Sequence, residues 1–157
     1  VLSTARTSVS AFTWLKALLS KPKVSIIVPV FNAEKVISTS INSLLNQSWK
    51  NIEIIAVDDA STDNSYTELK RLFGGIERVR VIKNNKNKGA YATRNLGMSL
   101  AIGEFLTVMD ADDWAHPQKI EKQIIPLLFL SPICNSKGVF LSQYSFLIIA
   151  IPTTFLK

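Results

Sequence analysis

A chain of 157 residues is long enough for one domain with a substantial core, and its single cysteine, Cys134, excludes an internal disulfide or a cysteine-rich zinc site. The net charge of +6 is not a property of the middle of the chain. All 12 acidic residues lie between Glu34 and Glu121, whereas Arg6, Lys16, Lys21, Lys23, Lys122, Lys137 and Lys157 stand in acid-free ends, so the charge balance of the core gives no signal for nucleic acid or an anionic membrane.

Residues 1–23 read as a flanking segment or linker. Val9, Phe12, Leu15, Leu18 and Leu19 follow rough helical spacing with Lys16 and Lys21 nearby, which suits a helix packed on the domain or a surface-seeking amphipathic stretch. No cationic start leads into an unbroken apolar run, so a signal peptide is not expected. The first residue is Val1 rather than Met, and the true start is expected upstream.

Val24–Val30 reads as a buried strand ended by Pro29 and the turn-prone Asn32. Ile37, Ile41, Leu44 and Leu45 then form one helix face. Ile52–Val57 is a second strand running into Asp58 and Asp59. Ser61, Thr62 and Asp63 are expected to cap a helix that turns Tyr66, Leu69, Leu72 and Phe73 inward and stops at Gly74–Gly75. Val79–Ile82 is a short third strand, and Lys83–Lys88 after it reads as a solvated basic loop. Ala92, Leu96 and Leu100 define a third helix closed near Gly103, Glu104–Met109 is the fourth strand, and another helix starts at about Pro117.

Regular strand–helix alternation implies right-handed crossovers and an α/β fold with a mostly parallel, doubly wound, Rossmann-like sheet. Ligands of such sheets bind beyond the carboxyl ends of the strands. Three of those ends carry Phe31-Asn32, Asp58-Asp59 and Asp110-Ala111-Asp112, and the topology gathers them at one rim.

The richest stretch is Phe105–Trp114, where an apolar run ends in Asp110, Asp112 and Asp113. Carboxylates that close repel one another unless a cation sits among them. Hard oxygen ligands in a short loop suit Mg²⁺ or Mn²⁺, ions that commonly accompany phosphates. No glycine-rich dinucleotide fingerprint follows the first strand, where the sequence is Val30-Phe31-Asn32-Ala33-Glu34, and no P-loop is present. A phosphorylated ligand would therefore be held by a metal and cationic side chains. A phosphoacceptor receiver domain would need an aspartate after the third strand, where Ile82-Lys83 stands.

Four blocks in order carry a family resemblance: Val24–Asn32, Asp58–Asp63, Gly89–Asn95 and Asp110–Asp113. Together they resemble the start of a family-2 glycosyltransferase, over about residues 24–125. The resemblance implies the A-type glycosyltransferase fold, of nucleotide-diphospho-sugar transferase type. It also implies transfer of a sugar from a nucleotide diphosphate donor, a UDP-sugar first among them, with inversion at the anomeric carbon. It would lay Phe31, beside Asn32, against the nucleobase, have Pro29 and Val57 shape the base site, and have Asp59 accept a hydrogen bond from the base imide N–H. Asp58 would be structural. Gly89 would admit the donor close to the backbone, and Arg94 would pair with the diphosphate or with an aspartate of the metal loop. Asp110, with Ala111 beside it, would hold the ribose and the metal shell, and Asp112 would bind Mg²⁺ or Mn²⁺ directly. Asp113 would assist the metal or cap the next turn. Trp114 would wall the acceptor side or simply pack, and His116 reads as a bystander.

The chain departs from the family pattern toward its end. An inverting transfer needs a base for the acceptor hydroxyl, and no Asp or Glu follows Glu121. No catalytic residue is therefore assigned. The expectation is a donor-binding half, residues 24–122, from a truncated enzyme, or a nucleotide-sugar-binding fragment without turnover. Residues 123–157 form an apolar tail, and Val139–Leu156 is uncharged, close to the minimum length of a membrane span. Glycan, lipid or protein acceptors all stay open, as does membrane association through the ends. The expected location is cytoplasmic or peripheral at the cytoplasmic face of a membrane.

Overall fold

The computed structural model describes residues 19–130, 139–141 and 147–150. Its elements are β1 (Val24–Val30), α1 (Ile37–Leu45), β2 (Ile52–Asp58), α2 (Ser65–Phe73), β3 (Val79–Lys83), α3 (Ala90–Ser99), β4 (Phe105–Val108), α4 (Lys119–Leu130), β5 (Val139–Leu141) and β6 (Leu147–Ala150). The strands form one sheet in the order β3-β2-β1-β4-β6-β5. The first four run parallel, β6 adds antiparallel to the β4 edge, and β5 pairs antiparallel to β6. This is the mostly parallel α/β architecture expected from the strand–helix alternation.

Helices cover both faces because the strands bear apolar residues on both sides. Every residue of β2 is buried. One face packs Ile26, Val28, Ile54 and Ala56 against Ile37, Ile41 and Leu44 of α1, Leu69 and Phe73 of α2, and Ile120 and Ile124 of α4. The opposite face is thinner: Ile27, Ile55, Val57 and Leu106 meet Leu96 and Met98 of α3. Close seating is possible there because α3 turns the small residues Thr93 and Gly97 inward.

Several local expectations are corrected. Pro29 does not end β1, which runs on through Val30 opposite Val57 and Asp58. The β4 ladder on its other side stops at Ile27, whose carbonyl accepts the Met109 N–H, so a residue without an N–H costs no ladder bond there. Leu72 is 37 % exposed rather than inward, and Gly74 ends α2 in a right-handed conformation. The division expected at residue 122 falls inside α4, which continues to Leu130 and buries Gln123, Ile124, Leu127 and Leu128. The described parts of 139–156 are strands of the sheet, and no helix among the described residues is long and apolar enough to cross a membrane. The helical spacing at residues 9–18 lies outside the described residues.

A buried polar knot closes the amino end of the sheet. The Glu53 carboxylate accepts from the Ser25 hydroxyl and from the Ile102 N–H at 2.8 Å, with Arg80 Nη1 at 3.7 Å. Arg80 also donates to the Leu100 carbonyl, and Ser25 Oγ accepts from the Gly103 N–H. A Cβ at Gly103 would lie 2.7 Å from Ser25 Oγ, so the α3–β4 turn can close on this knot only with glycine.

Candidate functional site

At the opposite, carboxyl edge of the sheet, four strand tips form the site, β3 adding a tip to the three expected. The β1 tip continues into Phe31 and Asn32. Asn32 takes a left-handed conformation (φ 49°), which its short polar side chain tolerates. Its Oδ1 accepts from the Thr62 N–H at 2.9 Å, and its own N–H donates to Ser61 Oγ at 3.0 Å. Ala33 N–H donates to Ser65 Oγ, and Glu34 N–H to Asp63 Oδ2. Ser61, Thr62 and Asp63 thus stitch the β1 and β2 loops together, and Asp63 also caps α2 as expected, its Oδ1 accepting the Ser65 N–H at 3.0 Å, although the N-cap position itself is Asn64. Burial pushes the Asp63 carboxyl up, but hydrogen bonds from Ser65 and the Glu34 N–H outweigh it and hold it below the ordinary carboxylate value. Phe31 is left half exposed at the mouth.

The β2 tip separates its two acids. Asp58 is fully buried and Oδ2 accepts from the Ser61 N–H at 3.2 Å, the structural part expected of it. Asp59 turns toward the cavity but is only 3 % exposed. Its Oδ1 accepts from Asn84 Nδ2 (2.7 Å) and the Lys88 N–H (3.0 Å), and its Oδ2 from the Lys88 N–H (3.1 Å) and the Gly89 N–H (2.8 Å). Burial raises its pKa, but the hydrogen bonds of Asn84, Lys88, Thr93 and Gly89 together bring it below the ordinary value, so the group is an anion at neutral pH. Ala60, just beyond, sits at φ 56°, a strained conformation for a residue with a Cβ.

The β3 tip supplies what sequence reasoning missed. Asn84 is 4 % exposed, its N–H donates to the Asp58 carbonyl, and its amide bridges Asp59 and Thr93 Oγ1. The basic run is thus no simple solvated loop: Asn84 lies under the site, Asn87 lines it, and the Lys88 N–H braces Asp59. The available signal was position, since Asn84 directly follows a parallel strand. Gly89 precedes α3 at φ 82°, ψ 158°, a conformation suited to glycine. A Cβ there would meet nothing within 4 Å, so the space beyond it is open.

The β4 tip carries the acidic loop. Asp110 carbonyl accepts the Asp113 N–H at 3.1 Å, a turn that buries Ala111 and leaves Asp112 exposed. Arg94 Nη2 lies 2.6 Å from Asp110 Oδ1, the aspartate pairing raised from sequence. The loop exit is fixed by α1: Ser43 Oγ accepts the Ala115 N–H, and Gln47 donates to the His116 carbonyl while accepting the Ile120 N–H. Trp114 is 61 % exposed, with its ring at right angles to that of His116. Lys119, in the first turn of α4, is depressed by burial while Asp113 and Asp110 oppose the shift, so it belongs to the electrostatics of the acidic loop.

These tips enclose a cavity of about 380 Å³, within the range of small-molecule sites. Pro29, Phe31, Asn32, Asp59, Gly89, Arg94, Asp110, Ala111 and Asp112 line it, joined by Val30, Ala33, Val36, Asn87, Ala90 and Thr93. Val57 does not reach it: it is fully buried in the smaller core cluster, inside β2 and short of the strand's tip. Among the described residues no group of three or more His, Cys, Asp or Glu forms a metal cage. Two carboxylates at a cavity mouth do fit an ion that takes its other oxygens from phosphate and water.

Comparison with known proteins follows the same lines. The family model for glycosyl transferase family 2 matches residues 25–133. An uncharacterized glycosyltransferase of Haemophilus influenzae is 41% identical over 106 residues, covering 68% of this chain and 42% of that protein. The Escherichia coli UDP-Glc:alpha-D-GlcNAc-diphosphoundecaprenol beta-1,3-glucosyltransferase WfgD is 41% identical over 105 residues, covering 67% of this chain and 41% of that protein. The chain therefore spans about two fifths of the length of these curated relatives. Among solved structures, S. aureus TarS in complex with UDP superposes with a TM-score of 0.61 at 27% identity, over 78% of this chain and 39% of that one. The Pyrobaculum calidifontis mannosyltransferase PcManGT, in complex with GDP-Man and Mn²⁺, gives 0.62 at 19% identity, over 86% and 44%, and shows the shared fold. The chain belongs to glycosyl transferase family 2.

Proposed function

We propose that this chain forms the donor side of a sugar-transfer enzyme, its cavity taking a nucleotide diphosphate sugar with a UDP-sugar as the first candidate. The observation that carries the reading is the gathering of Phe31, Asp59, Gly89, Arg94, Asp110 and Asp112 around one cavity at the carboxyl edge of the sheet. Strand order gives the ligand a direction. Asp59 stands at the β2 tip and Asp110 beyond the β4 tip, with β1 between them, so about 10 Å of sheet edge separates a base end from a phosphate end. Phe31 would stack on the base, and a base imide N–H would join the donors that Asp59 already accepts. Arg94 and the open first turn of α3 would face the diphosphate.

Asp110 and Asp112 would hold Mg²⁺ or Mn²⁺ together with the phosphates. Such an ion supplies charge neutralisation for a departing nucleotide. Support comes from the two-carboxylate donor set at the cavity mouth. The transfer would be inverting. Because no Asp or Glu follows Glu121, a second reading is nucleotide-sugar binding by this chain without turnover.

Calorimetric titration of UDP with and without Mn²⁺ tests the proposal. UDP should bind with Mn²⁺ present, and Asp112→Ala or chelation should weaken it at least about tenfold, roughly 1.4 kcal/mol. Folded protein that binds neither UDP nor GDP with metal present refutes the donor-site reading. Release of UDP from a donor sugar separates turnover from binding alone.

A further inference from the structure

Asp59 has a task that precedes any contact with a base. An ionised carboxylate offers about four lone-pair directions. Here four donors reach it: Asn84 Nδ2, the Lys88 N–H shared between both oxygens, the Gly89 N–H and the Thr93 hydroxyl. A buried group committed this fully to its own chain is a fastener. What it fastens is the turn that delivers Gly89 at φ 82° to the start of α3. Gly89, Ala90, Thr93 and Arg94 of that segment all line the cavity. The fastening is backed from beneath, since Asn84 ties Asp59 to Thr93 one turn into the same helix. The first N–H groups of a helix lack intrahelical partners and point outward along its axis. A turn held this way fixes their aim.

We propose that Asp59 is a positioning residue for the phosphate end of the ligand: by clasping the Lys88 and Gly89 N–H groups, it presents the first turn of α3 and Arg94 to the diphosphate. This rests on the reading of the cavity as a nucleotide diphosphate site, and assigns to Asp59 a contribution that does not need the base.

Pyrophosphate, which has no base, separates the two contributions. Wild-type protein with Mn²⁺ is titrated with UDP, GDP, pyrophosphate and uridine, and amide exchange is followed by NMR in the ligand-free protein. In Asp59→Asn, the Lys88 and Gly89 amides should exchange at least about tenfold faster while those of Ile26 and Ile54 keep their protection. Affinity for pyrophosphate should fall at least about fivefold, alongside that for UDP. Asn84→Ala, whose side chain does not line the cavity, should move both readouts in the same direction and decides the matter if Asp59→Asn loses its core protection.

An unchanged pyrophosphate affinity with weakened UDP binding overturns the inference and leaves Asp59 a reader of the base alone. Wild-type protein that takes up UDP but not pyrophosphate overturns it too. Failure of the wild type to bind either nucleotide instead removes the donor-site reading on which it stands.

Discussion

Replacing Gly97 by alanine tests how closely α3 is seated on the sheet. A Cβ built at Gly97 lies 2.3 Å from Cγ2 of Ile27 on β1. Ordinary contact begins at about 3.4 Å, so helix and strand must part by about 1 Å or Ile27 must leave its rotamer. Overpacking of this kind costs about 1–3 kcal/mol, which for a chain of this size lowers Tm by roughly 4 °C per kcal/mol. Ile27→Ala alone should cost about 2–5 kcal/mol as a cavity. In the double variant the new methyl enters the space vacated by Ile27, so the combined loss should undercut the sum by about 1 kcal/mol or more. Urea unfolding of all four proteins gives the cycle, and UDP titration reports on Gly89 and Arg94, which ride on the same segment. A Gly97→Ala protein within about 0.5 kcal/mol of wild type, or strict additivity in the double variant, would refute the close seating.

Other substitutions separate the two edges of the sheet. Gly89→Ala meets no atom, so its whole cost is the backbone penalty of φ 82°, ψ 158°, about 1–3 kcal/mol, and UDP affinity should drop with the displaced turn; unchanged Tm and affinity would contradict this. Glu53→Ala leaves Ser25, Ile102 and Arg80 without their buried acceptor and should cost about 3 kcal/mol, while the folded fraction binds UDP as before. Loss of UDP affinity at native stability would place Glu53 in the site instead. Acid should destabilise the protein through Asp59 and Asp63. Both carboxyls sit below their unfolded value of 3.8, so their stabilisation is complete above that value and is lost as pH falls through the folded pKa. Urea midpoints should decline below about pH 4, less steeply in Asp59→Asn; identical slopes would count against the clasp.

Sequence periodicity located the strands and helices because apolar side chains repeat with the period of each element. For α3 it found Leu96 and Leu100, which pack on the sheet, but not Thr93 and Gly97, the residues buried most deeply, since small residues that permit close approach carry no hydrophobic signal. The rim was legible from strand ends, and every expected lining residue except Val57 reached the cavity. The partners of Asp59 were not legible: Asn84, Lys88 and Gly89 lie 25 to 30 positions away, and only the parallel crossover brings them under the same carboxylate. Likewise Ser61 and Asp63 look only like helix caps locally; Asp63 does cap α2 through the Ser65 N–H, but both are also bound to the loop after β1.

β2 is wholly buried and is flanked by two acids, Glu53 one residue in from its start and Asp59 directly after its end. The first is tied to turns remote from the cavity and the second to the cavity wall. In the proposed reading, robustness and recognition are therefore entrusted to opposite ends of a single seven-residue strand. An engineer wishing to harden this scaffold has a place to work, around Arg80 and the Ile102–Gly103 corner, from which ligand preference need not be disturbed.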